Sequence, residues 1–435
     1  MIYNESSYNK NWKISKLAEL GTFARGVSKH RPRNDPKLFE NGKYPLVQTG
    51  DVKEANLYLS KHEQEYGDFG IKQSKLWNTG TLCITIAANI AETAILAYPM
   101  CFPDSIVGFL AYPEKSSEEF MYYIFEYIKK SIQNAATGSI QDNINLEYLI
   151  SLDFKIPEKK YQDMIVLTLS SIDRKILINN AINDNLQQQL KLLYDYWFIQ
   201  FNFPDKNGNP YCSSGGKMVF NEKLKRKIPY GWKVESVFSN SISSIIKPGV
   251  KLFNKKTYLA TADIKGTSIS NGTIINYEGR ESRANMQPRV SSVWFAKMKN
   301  SVKHLYLNKE MQTIISNSIL STGFCGLQCK ETSFEYIASY ISNDYFEIRK
   351  DILAHGATQQ AVNNDDLKNI PIVIPNDNLL YLYHKVTKPL YAKISKNICE
   401  NHELIKLRDW LLPMLMNGQA TISDWYGKLS FKYRI

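Results

Sequence analysis

Cysteine and histidine are scarce in this chain of 435 residues, which has six of each. Cys83, Cys101, Cys212, Cys325, Cys329 and Cys399 form no Cys-x-x-Cys pair, so the spacing of a zinc cluster is missing and they read as reduced thiols of a cytosolic protein. His355, Cys325 and Cys329 have no partner set that would make them ligands, and no metal is expected. Long apolar runs are missing too. The most apolar stretch, residues 82–102, is interrupted by Asn89 and Glu92, and the N-terminus lacks the charged start and apolar run of a signal peptide. Neither export nor a membrane span is expected. None of the pairs Gly42-Lys43, Gly216-Lys217 and Gly427-Lys428 sits in a phosphate-binding loop, and no GxGxxG or HExxH string occurs. Asn202-Phe203-Pro204-Asp205 lacks the second proline of an amino-methyltransferase loop. Pro103-Asp104 with Glu114-Lys115 misses the Glu-x-Lys spacing of a metal-dependent nuclease. The chain is therefore read as non-catalytic.

Acidic residues are outnumbered, 42 against 54 basic, which leaves a net charge of +12. Positive surface of this kind selects polyanions, and nucleic acid is the first candidate. With 43% hydrophobic residues the chain is long enough for two or three packed domains.

The chain also repeats itself. Residues 138–157, GSIQDNINLEYLISLDFKIP, align without gaps at an offset of 218 onto residues 356–375, GATQQAVNNDDLKNIPIVIP, with six identities in twenty positions. Trp12-Lys13-Ile14 matches Trp232-Lys233-Val234, and Thr49-Gly50-Asp51-Val52 matches Thr261-Ala262-Asp263-Ile264. Two copies of one plan follow: a mixed domain (1–156), a long helix (157–200), a basic polar linker (201–231), a second mixed domain (232–374), a second long helix (375–419) and a tail (420–435). Short β-branched and aromatic runs predict strands at 44–47, 81–86, 94–98 and 106–111, and helices at 120–133 and 334–348. The linker composition predicts irregular chain, whose Lys223, Lys225, Arg226 and Lys227 either touch a phosphate backbone or form a solvated charge run.

In the first long helix Ile165, Leu169, Ile172, Ile176, Asn179, Asn183, Leu186, Leu190, Leu193 and Trp197 follow steps of 4 and 3, the repeat of a coiled-coil seam. Adding 218 gives a second seam from Tyr383 to Leu415, with Pro413 expected to end or kink the last turn. Antiparallel packing about a pseudo-dyad pairs Asn179 with Asn401 and Asn183 with Asn397, a polar layer between apolar ones that sets the helix register. Such a strut of 32 residues is about 48 Å long, roughly 14 base pairs of duplex. The fold class is α+β: two tandem mixed α/β domains separated by two long antiparallel coiled-coil helices with pseudo-twofold symmetry.

This layout resembles the specificity subunit of type I restriction-modification systems over nearly the whole chain. The strings that carry the likeness are Thr49-Gly50-Asp51-Val52, residues 84–91 (ITIAANIA), Thr137-Gly138-Ser139-Ile140-Gln141, Tyr196-Trp197-Phe198 leading to Phe201-Asn202-Phe203-Pro204, and Gly356-Ala357-Thr358-Gln359. In the second copy Ala262 replaces the glycine of the first string, and the second string has no clear counterpart. The resemblance implies that each mixed domain is a target recognition domain for one half of a bipartite, asymmetric sequence in double-stranded DNA, and that the helices dock two modification (adenine methyltransferase) subunits. It also implies that restriction subunits supply motor and nuclease, and that S-adenosylmethionine, ATP and Mg are used by those partners rather than bound by this chain.

Arginine forks suit guanine edges, glutamine suits adenine and lysine suits phosphates. The DNA-contacting candidates are Arg25, Lys29, Arg31 and Arg33 in one loop and Lys72, Gln73 and Lys75 in another. In the second copy they are Arg280, Arg283 and Arg289, with Lys247, Lys251, Lys255 and Lys256 as backbone anchors. Gln141 and Gln359 recur ahead of the long helices, so a shared task is expected of them: a turn that satisfies backbone groups near the helix start, or a phosphate contact. Two other classes stay open, a DNA-modifying enzyme with an undetected site and a duplicated RNA-binding or assembly module.

Overall fold

The duplicated strings at the edges of each copy pair with one another. Lys13–Lys16 runs antiparallel to Asp153–Ile156, with Lys13 opposite Ile156. Lys233–Ser236 runs antiparallel to Pro371–Ile374, with Lys233 opposite Ile374. Each copy thus begins and ends on the same two-stranded ribbon. The computed structural model describes residues 2–138, 146–425 and 428–433. The chain divides into two units, Met1–Arg174 with Leu407–Ile435, and Lys175–Lys406.

In the first unit, strands Gly21–Arg25, Ile106–Ala111, Leu82–Thr85 and Thr93–Leu96 lie side by side in that order, all antiparallel, and Tyr58–Leu59 adds a parallel edge. The three inner strands are almost wholly buried because helix Glu118–Gly138 covers one face, with Phe120, Met121, Ile124 and Phe125 inside. A second sheet orders Gln64–Tyr66, Tyr44–Leu46, Met100–Cys101 and Leu76–Trp77, and its central pair is parallel.

The second unit repeats both sheets. Ser243–Ile245, Phe324–Cys329, Ser292–Ala296 and His304–Leu307 form the first. Thr273–Ile275, Lys256–Leu259, Ser318–Ser321 and Ala284–Met286 form the second, again with a parallel central pair. Equivalent glycines accept a tryptophan ring on this scaffold: a Cβ at Gly108 would lie 2.6 Å from Trp77, and one at Gly326 would lie 2.6 Å from Trp294.

Several elements differ from the sequence expectation. The helix predicted over 334–348 is two helices, Phe334–Ile341 and Asp344–Leu353, because the Asn343 side chain accepts from Tyr345 N and starts a new one. The linker is not merely irregular. It contains a hairpin, Met218–Asn221 with Arg226–Pro229, and it buries Phe201, Phe203 and Ile228 in the core of the second unit. Polar composition hid this, since three apolar side chains suffice to anchor the segment. The last residues form a further hairpin, Ala420–Trp425 with Lys428–Tyr433.

The long helices are Lys159–Tyr194, followed by a π turn Asp195–Ile199, and Asp377–Met416. Pro413 neither stops nor ends the second helix. Its carbonyl still accepts from Asn417 N at 3.1 Å, and the stop comes at Gly418, whose φ of +78° is the left-handed exit that glycine takes freely. Each seam position named above is buried or half-buried. In the first unit Arg408 Nη1 donates to Asp173 Oδ1 at 3.0 Å, and Tyr123 OH donates to Asp173 Oδ2 at 2.6 Å, tying the domain helix to both long helices. The second unit uses hydroxyls instead: Ser339 Oγ lies 2.8 Å from Tyr383 OH and 2.9 Å from Tyr391 OH.

Gly326→Ala forces a methyl into the Trp294 ring, and an overpacked core of this kind costs about 1–3 kcal/mol. Urea unfolding should show a lower midpoint at unchanged slope.

Candidate nucleic-acid interface

The loop that leaves Gly21–Arg25 begins at Gly26, whose N–H donates to Ile106 O at 2.8 Å. A Cβ there would lie 2.2 Å from Pro103 O, so glycine lets the loop turn tightly across the sheet. Val27 N then donates to Phe102 O, Lys29 N donates to Gln73 O at 3.0 Å, and Ser74 Oγ donates to Val27 O at 2.8 Å. These bonds set the two basic segments of the first copy side by side. Arg25, Lys29, Arg31, Arg33, Lys72 and Lys75 are exposed there, while Gln73 is half-buried.

Two of these arginines are already held. Asp104 Oδ1 accepts from Arg33 Nη2 at 2.5 Å, and Asp104 Oδ2 lies 3.6 Å from Arg31 Nη2. Arg31 Nη1 also donates to Ser28 O and His30 O. His30 Nε2 lies 2.7 Å from Asp35 Oδ2, and this hydrogen bond, with the backbone bond from Lys37, holds the Asp35 carboxyl below the usual carboxylate range. Lys75 Nζ sits 3.7 Å above the Trp77 ring, which stacks on Phe102. The Asp104 pairs are half-exposed and so contribute little to stability. They orient the guanidinium groups while leaving them exchangeable for a phosphate.

The second copy repeats the construction. Ile246 N donates to Gly326 O, Gly249 N donates to Asn285 O at 2.8 Å, and Thr322 N donates to Arg283 O at 2.9 Å. The lysine loop therefore lies against the arginine segment. Lys247, Lys251, Lys255, Arg283 and Arg289 are exposed. Arg280 folds back, with its guanidinium 3.9 Å over the Tyr277 ring and Nη1 donating to Tyr277 O, and Arg283 lies 3.8 Å from Glu281. Lys256 is half-buried in its strand, and burial pulls its amine below the ordinary lysine value. Its ammonium lies 3.5 Å from Gln287 Oε1. Of the four predicted anchors it is the least available to a phosphate.

Gln359 does not serve the start of the long helix. It stands on an exposed loop closed by the bridge between His355 and Ala361, where Gly356 has φ +135° and a Cβ would lie 2.5 Å from Gln359 O. The helix start is capped by Asn376 Oδ1, which accepts from Leu379 N. The loop packs on Lys299, which donates from N and Nζ to Gln360 at 3.0 and 2.9 Å. No local pattern marks Lys299, because its partner is distant in sequence. Gln141 lies outside the described residues.

In the helix seam, Asn179 Nδ2 donates to Asn401 Oδ1 at 2.9 Å and to Glu400 Oε2 at 2.8 Å, and Asn397 Nδ2 donates to Asn183 Oδ1 at 2.8 Å. The helices run antiparallel at this layer, and Leu190, Ile394 and Ile398 belong to the core beside it. Glu400 and Asn180 complete the network, since Asn401 Nδ2 donates to Asn180 Oδ1. Both sit beside seam positions and so escaped the heptad count. The bond from Asn179, then Lys175, holds the Glu400 carboxyl below its usual value. That stabilisation is complete above the ordinary glutamate pKa of about 4.3 and is lost as pH falls through the lowered value.

Among the described residues no group of three His, Cys, Asp or Glu side chains could hold a metal, and no helix is long and apolar enough to cross a membrane. Burial pushes the Cys325 thiol up to about 12, away from thiolate chemistry.

Residues 9–188 match the type I restriction modification DNA specificity domain. The match to this specificity domain spans the entering ribbon strand, both sheets and most of the first long helix. Along the chain, the MjaIX specificity subunit of Methanocaldococcus jannaschii is 23% identical, with 95% of each sequence covered. The HindI specificity subunit of Haemophilus influenzae is 21% identical over 68% of this chain and 74% of its own. The crystal structure of a type I restriction-modification S subunit from M. genitalium shares the fold at a TM-score of 0.50 and 16% identity, covering 95% of this chain and 99% of that one.

Two substitutions probe this surface and the seam. Lys72→Ala with Lys75→Ala should flatten the plot of log affinity against log salt by about 0.9 per lysine that contacts a phosphate, as read by fluorescence anisotropy with duplex DNA. Asn183→Leu strands a buried donor on Asn397 and should cost about 1–3 kcal/mol in thermal unfolding. Adding Asn397→Leu should recover most of that loss, at the expense of a single helix register.

Proposed function

We propose that the chain is the DNA-reading specificity subunit of a type I restriction-modification complex, and that each copy reads one part of a two-part asymmetric sequence. The observation that carries this is the repeated construction. Both copies use the same two sheets to bring a loop after the first strand against the segment before the edge strand, and both put cations there, but the side chains differ. Equal scaffolds with unequal loops suit two half-sites of different sequence, since phosphate contacts position a reader while base edges specify it. Arg25, Lys29, Arg31, Arg33 and Lys75 are the readers and anchors in one copy, and Lys247, Lys251, Lys255, Arg283 and Arg289 in the other. Gln359, with Lys299 beside it, is read as a phosphate contact.

In this reading the chain does no covalent chemistry. Two modification subunits bring S-adenosylmethionine and methylate adenine, and restriction subunits bring ATP and Mg. Incubating the pure chain with labelled S-adenosylmethionine and DNA tests this directly, because turnover by the chain alone contradicts a purely recognising role.

The ribbon pairing defines the exchangeable module. Replacing residues 17–152 with the corresponding segment of a related subunit leaves both ribbon strands in place and should change one half of the methylated sequence only. Genome-wide mapping of methylated adenines in cells carrying the parent or the exchanged gene measures this, and a change in both halves would refute the modular assignment.

A further inference from the structure

Leu252 is 80% exposed, the highest value for any large apolar side chain among the described residues. A single exposed leucine is ordinary on a protein surface, and its surroundings set this one apart. It lies on the loop that joins Ser243–Ile245 to Lys256–Leu259, and that loop is tied down on both sides of it. Gly249, at φ +143°, turns the chain, donates its N–H to Asn285 O at 2.8 Å and bridges to Met286. Val250 and Phe253 then pack on the buried cluster of Tyr258, Ala284 and Ile319. The Phe253 ring also meets Tyr277 edge-on at 5.7 Å, and Tyr277 carries the Arg280 guanidinium 3.9 Å over its ring. An anchored loop thus presents Leu252 outward, on the same base as an arginine of the candidate interface.

Charge decides which kind of partner suits this tip. Residues 236–262 contain four lysines and no acidic side chain, and Lys251 and Lys255, on either side of Leu252, are exposed. Lysine is a strongly hydrated point charge and is depleted from protein–protein interfaces. On a duplex the same residue anchors phosphates. A duplex therefore suits the tip better than a protein surface does. The apolar group that a base edge offers in the major groove is the thymine C5 methyl. The first copy has no equivalent tip. In the loop that joins Gly21–Arg25 to Tyr44–Leu46, Val27, Leu38 and Phe39 are each buried or half-buried.

We propose that Leu252 reads a thymine in the half-site that the second copy contacts, packing against its C5 methyl while Lys251 and Lys255 hold flanking phosphates. This rests on the DNA-reading role argued above and deepens it by assigning a base chemistry to one residue. An apolar contact carries neither charge nor hydrogen-bonding group, so no basic or amide string marks it in the sequence. Burial of one methyl group is enough for a discrimination of about fourfold in affinity.

Paired substitutions on protein and DNA test this. The duplex carries the sequence found by mapping methylated adenines, and the half belonging to the second copy is the one that survives exchange of residues 17–152. Each thymine is replaced in turn by deoxyuridine, which removes the C5 methyl and keeps the base pair. Fluorescence anisotropy reads binding by the full chain and by its Leu252→Ala variant. One replacement in that half should weaken the unmodified chain about fourfold and leave the variant unaffected, whereas thymines of the other half should affect both proteins alike. On the unaltered duplex the variant should bind more weakly without changing the slope of log affinity against log salt, because no phosphate contact is lost. Its thermal unfolding should match that of the unmodified chain, since so exposed a side chain is not part of the core. An equal response of both proteins to every deoxyuridine would overturn the proposal, as would a half-site without thymine. So would a leucine effect that persists on the deoxyuridine duplexes, which is what a wedge between base steps gives. Absence of duplex binding by the unmodified chain would instead overturn the recognition role itself, which separates the two failures.

Discussion

Backbone pairing between the strand that enters each mixed domain and the strand that leaves it is the constraint on which the rest depends. With Lys13 opposite Ile156 and Lys233 opposite Ile374, each domain becomes a closed excursion whose two ends are one ribbon apart. A long helix can then start directly after the ribbon, at Lys159 or Asp377. Everything inside the excursion is free to vary in its loops, because the sheets are tied down by burial rather than by loop chemistry. This is how one scaffold carries an arginine-rich surface in one copy and a lysine loop with arginines in the other.

The copies hold their helices by different means. A buried carboxylate, Asp173, shared between Tyr123 and Arg408, is expensive to desolvate: loss of Arg408 leaves a buried charge unpaired, and loss of Tyr123 leaves one carboxylate oxygen without that donor. The hydroxyl cluster of Ser339, Tyr383 and Tyr391 carries no charge and sits among aromatic rings. Burial pushes the Tyr383 and Tyr391 hydroxyls above their ordinary range, which keeps them neutral donors. The polar layer between the helices is of an intermediate kind: neutral amides that pair with one another and recruit Glu400 at its edge. Amides satisfy each other in only a few registers, whereas leucines slide, which is the physical reason for placing them there.

The features legible in the sequence were those repeated at fixed spacing. The 4,3 pattern of the helices and the ungapped match around Gly138 and Gly356 needed no knowledge of three-dimensional contacts. Strand pairing was harder. Leu82–Thr85 and Ser292–Ala296 are buried on both faces, so the alternation that marks a half-exposed strand is missing. The linker misled because its many polar residues outvoted Phe201, Phe203 and Ile228. Gln359 was assigned to a helix start by proximity in sequence, yet the chain between it and Asp377 spends a bridge and a ribbon strand first.

By itself the sequence determined the duplication, the antiparallel register of the asparagine layer and the basic segments proposed to contact DNA, because periodicity and charge are properties of order along the chain. Only the tertiary structure decided that Lys29 lies beside Gln73, that Gly249 lies beside Asn285, and that Phe203 stacks on Trp232. Those facts depend on backbone hydrogen bonds and ring contacts between residues tens of positions apart. No local propensity encodes such contacts, and a single change of loop length would redirect them.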